Sequence, residues 1–223
     1  MIQSEEGADE VGSLINAITT NLTKFFREAH HFDHLRDVVL RDMVQLAVAG
    51  ADKELRIWSA GCSSGEEPYS IAMTLLEAIP GLVQWDARIL ATDLDTSMVE
   101  KAKAGIYPTS ALASVSKAAQ MRHFEPDRGA KGERWMVAQP VRRLVTFKEL
   151  NLLGRWPMKG PFDAIFCRNV MIYFDGPTKT ELVSRMAKLL KPKGWLYVGH
   201  SESVLDHQSG FKLVGRTIYQ KVG

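Results

Sequence analysis

Short apolar runs alternate with amphipathic stretches along most of this 223-residue chain. Residues 55–60, 87–92 and 162–167 are predicted to be buried strands, because each run is short, apolar and bounded by polar or turn-forming residues. Apolar positions at helical spacing predict a helix after the first of these strands and another over residues 177–190. Strands that alternate with helices predict an α/β fold with a mostly parallel sheet.

The end of the chain departs from this alternation. Residues 195–198 form another predicted strand, and a two-residue turn joins two further short strands, 211–214 and 217–220. A tight hairpin makes one edge strand of the sheet antiparallel. This ending favours the methyltransferase variant of the doubly wound sheet over that of a dinucleotide dehydrogenase.

An amphipathic helix is predicted before the first strand, over residues 32–48. The predicted inner face of this helix comprises Leu35, Val39, Met43, Leu46 and Ala47. A shorter helix is predicted over residues 11–18, and Thr23 is a candidate cap for the turn at residues 24–27.

Residues 116–147 interrupt the α/β pattern. A short helix over residues 116–122 and two β-like runs, 134–138 and 141–147, predict a small insertion, and the α/β pattern resumes from residue 145. This region is rich in basic side chains. They are Lys117, Arg122, Arg128, Lys131, Arg134, Arg142, Arg143 and Lys148, against Glu125, Asp127 and Glu133.

The residues from Leu55 to Tyr69 combine a strand, a glycine loop and the start of a helix, which is a common cradle for nucleotide-like cofactors. A phosphate prefers bare backbone N–H groups and positive potential at the N-terminus of the helix. Glu66 and Glu67 occupy that place and would repel a pyrophosphate. They suit a positively charged ligand, such as the sulfonium and α-amino groups of S-adenosylmethionine.

Acidic residues follow the second predicted strand. Asp93 stands about 30 residues after the glycine loop, where Rossmann-like sheets grip a ribose diol, so it is the candidate ribose ligand. The alternative role for the acids in this region is helix capping, with Asp95 or Thr96 as the cap of a helix over residues 97–103.

Composition is that of an ordinary soluble protein, with 45% hydrophobic and 24% charged residues, and the length suits one α/β domain plus a small insertion. Cys62 and Cys167 are the two cysteines, which indicates a reducing cytoplasm rather than a disulfide scaffold. No apolar run approaches membrane-spanning length, and the acidic first residues are not a signal peptide. No metal site is predicted, since the three histidines at His30, His31 and His34 are irregularly spaced and lack matching ligands.

Three motifs stand out: residues 19–28 (TTNLTKFFRE) with His31 and Phe32, residues 57–73 (IWSAGCSSGEEPYSIAM) and residues 167–175 (CRNVMIYFD). In these motifs, and at residues 199–202, the chain resembles the CheR family of chemotaxis receptor methyltransferases. The resemblance implies a Rossmann-like class I S-adenosylmethionine-dependent methyltransferase fold over residues 19–223, with a small antiparallel β-subdomain. The family normally carries an N-terminal helical domain, of which residues 1–18 are expected to be a linker or remnant.

The resemblance also implies the reaction, namely transfer of a methyl group from S-adenosylmethionine to glutamate side chains of chemoreceptors, with S-adenosylhomocysteine as the product. Arg27 and Tyr173 are then expected beside the transferred methyl. The expected cofactor contacts are Asn21, Thr23, Arg27, Glu67, Asp93, Asn151, Leu152, Arg168 and Asn169.

The partners follow from the same resemblance. Methyl-accepting receptors are the expected substrates, met in the cytoplasm at receptor arrays, and a receptor C-terminal tail or a regulatory protein is the expected ligand of the β-subdomain. Arg142 and Arg143 are the candidate contacts for acidic receptor side chains.

A glutamate acceptor requires little of the enzyme chemically. Its unperturbed pKa is about 4.3, so at neutral pH the carboxylate is already a nucleophile and no general base is needed. Arg27 could orient it through a bidentate fork, and Tyr173 could line the methyl passage. The structural alternatives are an Arg27 that pairs with Glu28 and a Tyr173 that only covers the sheet.

Two other classes of function remain open at this stage. A nucleic-acid methyltransferase would use the basic insertion to follow phosphates, but the residues after the strand 162–167 lack the prolines of a base-amino methylation loop. Another protein substrate is a further alternative. A non-catalytic module that binds the cofactor and docks receptors is the second class, and retention of Arg27 and Tyr173 argues against it.

Overall fold

The computed structural model describes residues 23–127, 133–204 and 210–222. The predicted helix over residues 11–18, the expected linker and Asn21 lie outside these ranges. So do Arg128 and Lys131 of the basic region.

Seven strands form the main sheet, in the order β6-β2-β1-β7-β8-β10-β9. They are β1 (Glu54–Ala60), β2 (Asp86–Asp93), β6 (Val145–Glu149), β7 (Phe162–Cys167), β8 (Leu190–Val198), β9 (Phe211–Gly215) and β10 (Ile218–Lys221). Pairing from β6 through β8 is parallel, whereas β10 is antiparallel to β8 and β9. The predicted α/β sheet with an antiparallel hairpin at one edge is therefore confirmed.

Helices cover both faces of this sheet. They are α1 (His30–His34), α2 (Arg41–Val48), α3 (Glu66–Ala78), α4 (Thr96–Ala104), α5 (Lys117–His123), α6 (Gln139–Arg142) and α7 (Gly176–Leu189). Ile57 and Trp58 are neighbours on β1, are fully buried and belong to two separate apolar clusters. Because successive strand residues point to opposite faces, the sheet has a core on each side, as parallel sheets require.

The first helical region differs from the uniform helix expected over residues 32–48. A π-helical segment, Leu35–Leu40, joins α1 to α2 without a break. The wider turn places both Val39 and Leu40 in the core and rotates the later residues, so that Leu46 is 60% exposed rather than on the inner face.

The small antiparallel sheet begins before the expected range 116–147 and ends before residue 141. Its strands are β3 (Ile106–Pro108), β4 (Phe124–Pro126) and β5 (Arg134–Val137), in the order β3-β5-β4. The predicted run over residues 141–147 is not part of it. Residues 139–142 are helical, and β6 pairs with β2 at the edge of the main sheet.

Candidate functional site

A cleft of about 570 Å³ opens at the carboxyl ends of β1, β2 and β7, where ligands of open α/β sheets bind. Eight of the nine expected cofactor residues line it, and the ninth, Asn21, lies outside the described residues. The eight are Thr23, Arg27, Glu67, Asp93, Asn151, Leu152, Arg168 and Asn169, and Tyr173 joins them. Sequence-distant segments thus meet at one place.

The two glutamates at the start of α3 have different environments. Glu67 lines the cleft, where Ser59 Oγ donates to one carboxylate oxygen at 2.7 Å and Arg168 Nη1 to the other at 3.0 Å. Burial raises the pKa of Glu67, and Arg168 opposes that shift. Glu66 is turned toward Ser64, whose hydroxyl donates to it at 2.8 Å. We expected both carboxylates to face the cofactor, but of the two only Glu67 lines the cleft.

Asp93 is held against the glycine loop. Its carboxylate accepts hydrogen bonds from the backbone N–H of Ser63 at 2.7 Å and from that of Asp95 at 3.0 Å. Each carboxylate oxygen has a second lone pair, so the group can still accept from a ligand hydroxyl. Burial raises the pKa of Asp93.

Helix capping, the other role expected of the acids after β2, falls to Asp95. Its side chain accepts from the backbone N–H groups of Ser97 and Met98 at the start of α4. Asp93 is thereby left available for the cleft.

Arg168 lines the cleft but is a buried side chain that joins several segments. The residue is 5% exposed, and its guanidinium donates to the carboxylate of Glu67 and to the carbonyl oxygen of Arg27. It also lies 3.5 Å from Glu28 Oε2. Arg168 thus joins the glycine-loop side of the cleft to the turn that carries Arg27.

The turn from Phe25 to Glu28 is strained. Phe26 and Glu28 have φ values of 52° and 58°, in the left-handed region that side-chain-bearing residues rarely adopt. Separate elements hold it, because Phe26 N donates to Ser70 Oγ at 2.9 Å and Ser114 Oγ donates to the Phe25 carbonyl at 2.8 Å. Such strain persists only where the surroundings fix it, and it is common at active sites.

Tyr173 stands on the opposite wall, in a short 3₁₀ turn over Met171–Tyr173, and is 56% exposed. The walls approach closely at Gly61, where a Cβ atom would lie 2.3 Å from Val170 Cγ2. Gly61 also has φ of 79°, so both its conformation and its surroundings require glycine.

Asn151 and Leu152 close the far end of the cleft. The Asn151 carboxamide oxygen accepts from the backbone N–H of Leu153 at 2.8 Å, which makes a tight turn. The carbonyl oxygen of Leu152 accepts from Trp156 Nε1 and from Arg185 Nη1, each at 3.0 Å. This segment is therefore fixed by α7.

Arg142 and Arg143, the two candidate contacts for acidic receptor side chains, have different environments. Arg142 is half-buried, and its Nη2 donates to the Lys103 carbonyl at 3.0 Å, while Nη1 contacts Met136 Sδ at 3.4 Å. Arg142 thus braces the small sheet against α4. Arg143 is exposed and available to a partner.

The histidines near the start of the described chain are mainly packing residues. His31 is fully buried and shares a hydrogen bond with Thr217 Oγ1 at 2.9 Å, while His30 Nε2 lies 3.0 Å from the carbonyl oxygen of Arg216. Contrary to the expectation of no matching ligand, Glu28 brings an oxygen within 4.8 Å of ligand atoms from both histidines. The guanidinium of Arg168 already supplies a positive charge to that carboxylate.

The cleft suits S-adenosylmethionine in size and charge. Its volume lies within the range of about 300–1,000 Å³ that is typical of small-molecule sites. Glu67 and Asp93 bring two carboxylates to its lining, which would repel a phosphate group and suit a ligand that carries positive charge. Among helices in the described ranges, none combines the length and apolarity needed to cross a membrane.

Several lining residues were not predicted as cofactor contacts from the sequence. They are Lys24, Gly61, Cys62, Ser63, Leu94, Leu150, Leu153, Val170, Ile172 and Phe174. Most directly follow or precede an identified residue, so contiguity in the loops was the available signal. Apolar residues such as Leu94 carry no chemical signature of their own.

Comparison with known proteins gives concordant matches. Residues 21–220 match the family model "CheR methyltransferase, SAM binding domain". A probable chemotaxis protein methyltransferase of Rhizobium etli is 45% identical over 221 residues, which cover 99% of this chain and 82% of that protein. The chemotaxis protein methyltransferase of Salmonella typhimurium is 43% identical, over 98% of this chain and 73% of its own length. S-adenosylmethionine is accordingly the cofactor of this protein.

Proposed function

Because this chain belongs to the CheR family of S-adenosylmethionine-dependent methyltransferases, we propose that it methylates glutamate side chains on the cytoplasmic domains of chemoreceptors. The observation that carries the proposal is the meeting of Arg27, Glu67, Asp93 and Tyr173 in one cleft. The acidic pair suits the cationic cofactor, whereas Arg27 and Tyr173 offer groups for an anionic acceptor. Nucleic acid is not favoured as the substrate, because the relatives are chemotaxis methyltransferases.

When bound, S-adenosylmethionine supplies a methyl group on a positively charged sulfur. Arg27 would hold the acceptor carboxylate so that its oxygen could take the methyl group in exchange for sulfur, which would retain the electron pair of the broken bond. No proton transfer is needed, since the acceptor is already ionised at neutral pH. The work left to the protein is alignment of the two groups, which can supply several kcal/mol.

Arg27 and Tyr173 are the proposed catalytic residues. Arg27 sits on the strained turn fixed by Arg168, and its guanidinium would orient the acceptor carboxylate. Tyr173 is half-exposed at the mouth of the cleft, so it can contact both the methyl passage and an incoming partner. Glu67, Asp93, Asn151 and the other lining residues would hold the cofactor.

A receptor C-terminal tail is the proposed ligand of the small sheet. Strands β3 and β4 are its edges, with β5 between them, and an extended peptide can add to an edge through main-chain hydrogen bonds. The exposed Arg143 nearby would favour acidic side chains on the partner. This docking would place the enzyme at cytoplasmic receptor arrays, where a regulatory protein could compete for the same edge.

A methyl-transfer assay tests the proposed function. Receptor cytoplasmic fragments incubated with the protein and radiolabelled S-adenosylmethionine should acquire label that is released by mild base, as expected for a γ-methyl ester. Fragments with glutamine in place of the acceptor glutamates are the control. Tight S-adenosylhomocysteine binding without any transfer would instead indicate a non-catalytic docking module.

Tyr173→Ala separates binding from turnover in the same assay. Its role at the methyl passage predicts a fall in rate of about 100-fold, with a much smaller change in S-adenosylhomocysteine affinity. Equal losses in both quantities would make Tyr173 a wall of the cofactor site only.

A further inference from the structure

Glu202 is a buried carboxylate that the proposed mechanism does not use. It is 7% exposed and accepts hydrogen bonds from three backbone N–H groups. Its Oε2 accepts from Gly199 N and, at 2.9 Å, from Asn169 N, while Oε1 accepts from Ile172 N at 3.2 Å. Donation from several backbone amides is a strong way to hold a buried charge.

The two ends of this carboxylate grip two points of the same cleft wall. Asn169 and Ile172 both line the cleft, and Tyr173 follows directly. Asn169 has a φ of 60°, so the chain reverses there in a conformation that asparagine tolerates. Glu202 thus fixes the loop at its start and again beside Tyr173.

Gly199 shows how closely this clamp is built. A Cβ atom there would lie 2.6 Å from Asn169 Nδ2 and 2.7 Å from Glu202 Oε2. The chain after β8 can therefore approach the loop only as bare backbone. A side chain at that position would separate the carboxylate from the amides it binds.

We propose that Glu202 is a positioning residue for methyl transfer, which sets the place of Tyr173 by clamping the backbone of Asn169 and Ile172. The proposal rests on the function proposed above for the rate measurements, but the clamp itself has consequences that need no activity. Its effect on catalysis passes through the backbone, because Glu202 donates nothing to the cleft and lies behind its wall.

Glu202→Gln tests the two ends separately. The new carboxamide has only one acceptor oxygen. It keeps the most hydrogen bonds when that oxygen faces the backbone N–H groups of both Gly199 and Asn169. The NH₂ group then faces the Ile172 N–H, donor against donor, and frees the end beside Tyr173. We expect the methyl-transfer rate to fall by about tenfold while S-adenosylhomocysteine affinity changes by less than about twofold.

A double-mutant cycle gives the readout that a merely structural role would not produce. In the Tyr173→Ala background, Glu202→Gln should cost little further rate, because both changes disable one group. Additive losses, or an affinity loss equal to the rate loss, would overturn the proposal. Glu100→Gln, which removes an exposed carboxylate that pairs with Lys103, is the matched control and should change neither quantity.

Backbone amide hydrogen exchange, measured by NMR, tests the contacts of Glu202 with Asn169 and Ile172 and does not depend on methyl transfer. In Glu202→Gln the Ile172 amide should exchange faster, whereas that of Asn169 stays protected; unchanged Ile172 exchange would overturn the proposal even if methyl transfer is observed. If the glutamine variant does not fold, Glu202→Asp, whose shorter carboxylate cannot reach both ends, provides the same measurements. Absence of transfer by the unmodified protein would refute the proposed function alone.

Discussion

The two walls of the cleft are built in different ways. On the glycine-loop wall, Glu67 is buried and Asp93 is partly buried, and the carboxylate of each accepts two hydrogen bonds from the protein. On the opposite wall, Ile172 and Tyr173 are about half exposed, and the protein holds that segment by its backbone. The first wall presents carboxylates that the protein already holds in place, as the proposed cofactor contacts require, whereas the second leaves side chains free to meet a partner. Affinity and turnover should therefore depend on different residues.

The largest effect is expected at Arg168, which joins the glycine-loop wall to the turn that carries Arg27. Arg168→Met keeps a similar volume but leaves Glu67 buried without its cation, so we expect a loss of about 3–5 kcal/mol in the free energy of unfolding. Chemical denaturation measures it. The double variant with Glu67→Gln should recover part of that loss, because the unpaired charge is removed. A loss below about 1 kcal/mol in the free energy of unfolding would show that the Arg168–Glu67 pair contributes no more than an exposed ion pair.

The glycine-loop wall is tested by Asp93→Ala. Loss of a partly buried carboxylate acceptor should weaken S-adenosylhomocysteine binding by about 1–3 kcal/mol in calorimetry. Thermal unfolding of the free protein is the control, because Asp93 also bonds the backbone of Ser63. If affinity is retained in a folded variant, Asp93 serves the loop and does not touch the cofactor.

Acid should lower the free energy of unfolding, because His31 and His34 resist protonation in the folded protein. Burial, with Arg168 as a smaller cause, lowers the pKa of His31 from 6.5 to about 2, and burial also lowers the pKa of His34. Below pH 6.5 the unfolded chain binds protons that the folded chain does not. Stability should fall as the pH drops, by up to about 1.4 kcal/mol per pH unit for each such proton.

Denaturation curves between about pH 7.5 and 4.5 measure this slope. Burial raises the pKa of Glu66, Glu67 and Asp93, so protonation of these carboxyls opposes the loss at the acidic end. His31→Gln should flatten the curve below pH 6.5, while the same change at the exposed His200 should not. If the slope of stability against pH is unchanged in His31→Gln, that slope arises from other groups.

The smallest effect is expected outside both walls. Arg143→Glu should lower methylation of receptor fragments by less than about 1 kcal/mol in apparent free energy, and less so at high salt, because an exposed charge acts weakly. S-adenosylhomocysteine affinity should not change. Arg41→Glu is the matched exposed control. Methylation that is unaffected at every ionic strength would remove Arg143 from the docking surface.

Much of the main sheet was accessible from the sequence, because buried parallel strands such as β1 and β7 are continuous apolar runs. Limits were harder. The segment over residues 141–147 looked β-like throughout, yet a helical turn precedes β6, and only pairing with β2 decides where β6 belongs. Likewise, nothing local marks the π-helical segment that turns Leu46 outward.

The candidate site shows the same division. Asp93 and Glu67 were accessible because each follows a strand or begins a helix at a fixed place in this fold. The partners of Arg168 were not, since its contacts to the Arg27 carbonyl and to Glu67 span 141 and 101 residues. Glu202 binds only backbone N–H groups, which every sequence contains, so no residue pattern could reveal its contacts.

The contacts of His30 and His31 with the β9–β10 turn have a consequence for the order in which the protein is made. Arg216 and Thr217 lie 186 residues after their partners, so a ribosome must add all of those residues before these hydrogen bonds can form. The β10 strand must also enter between β8 and β9. We therefore expect α1 to dock against the β9–β10 turn only after that turn has been synthesised.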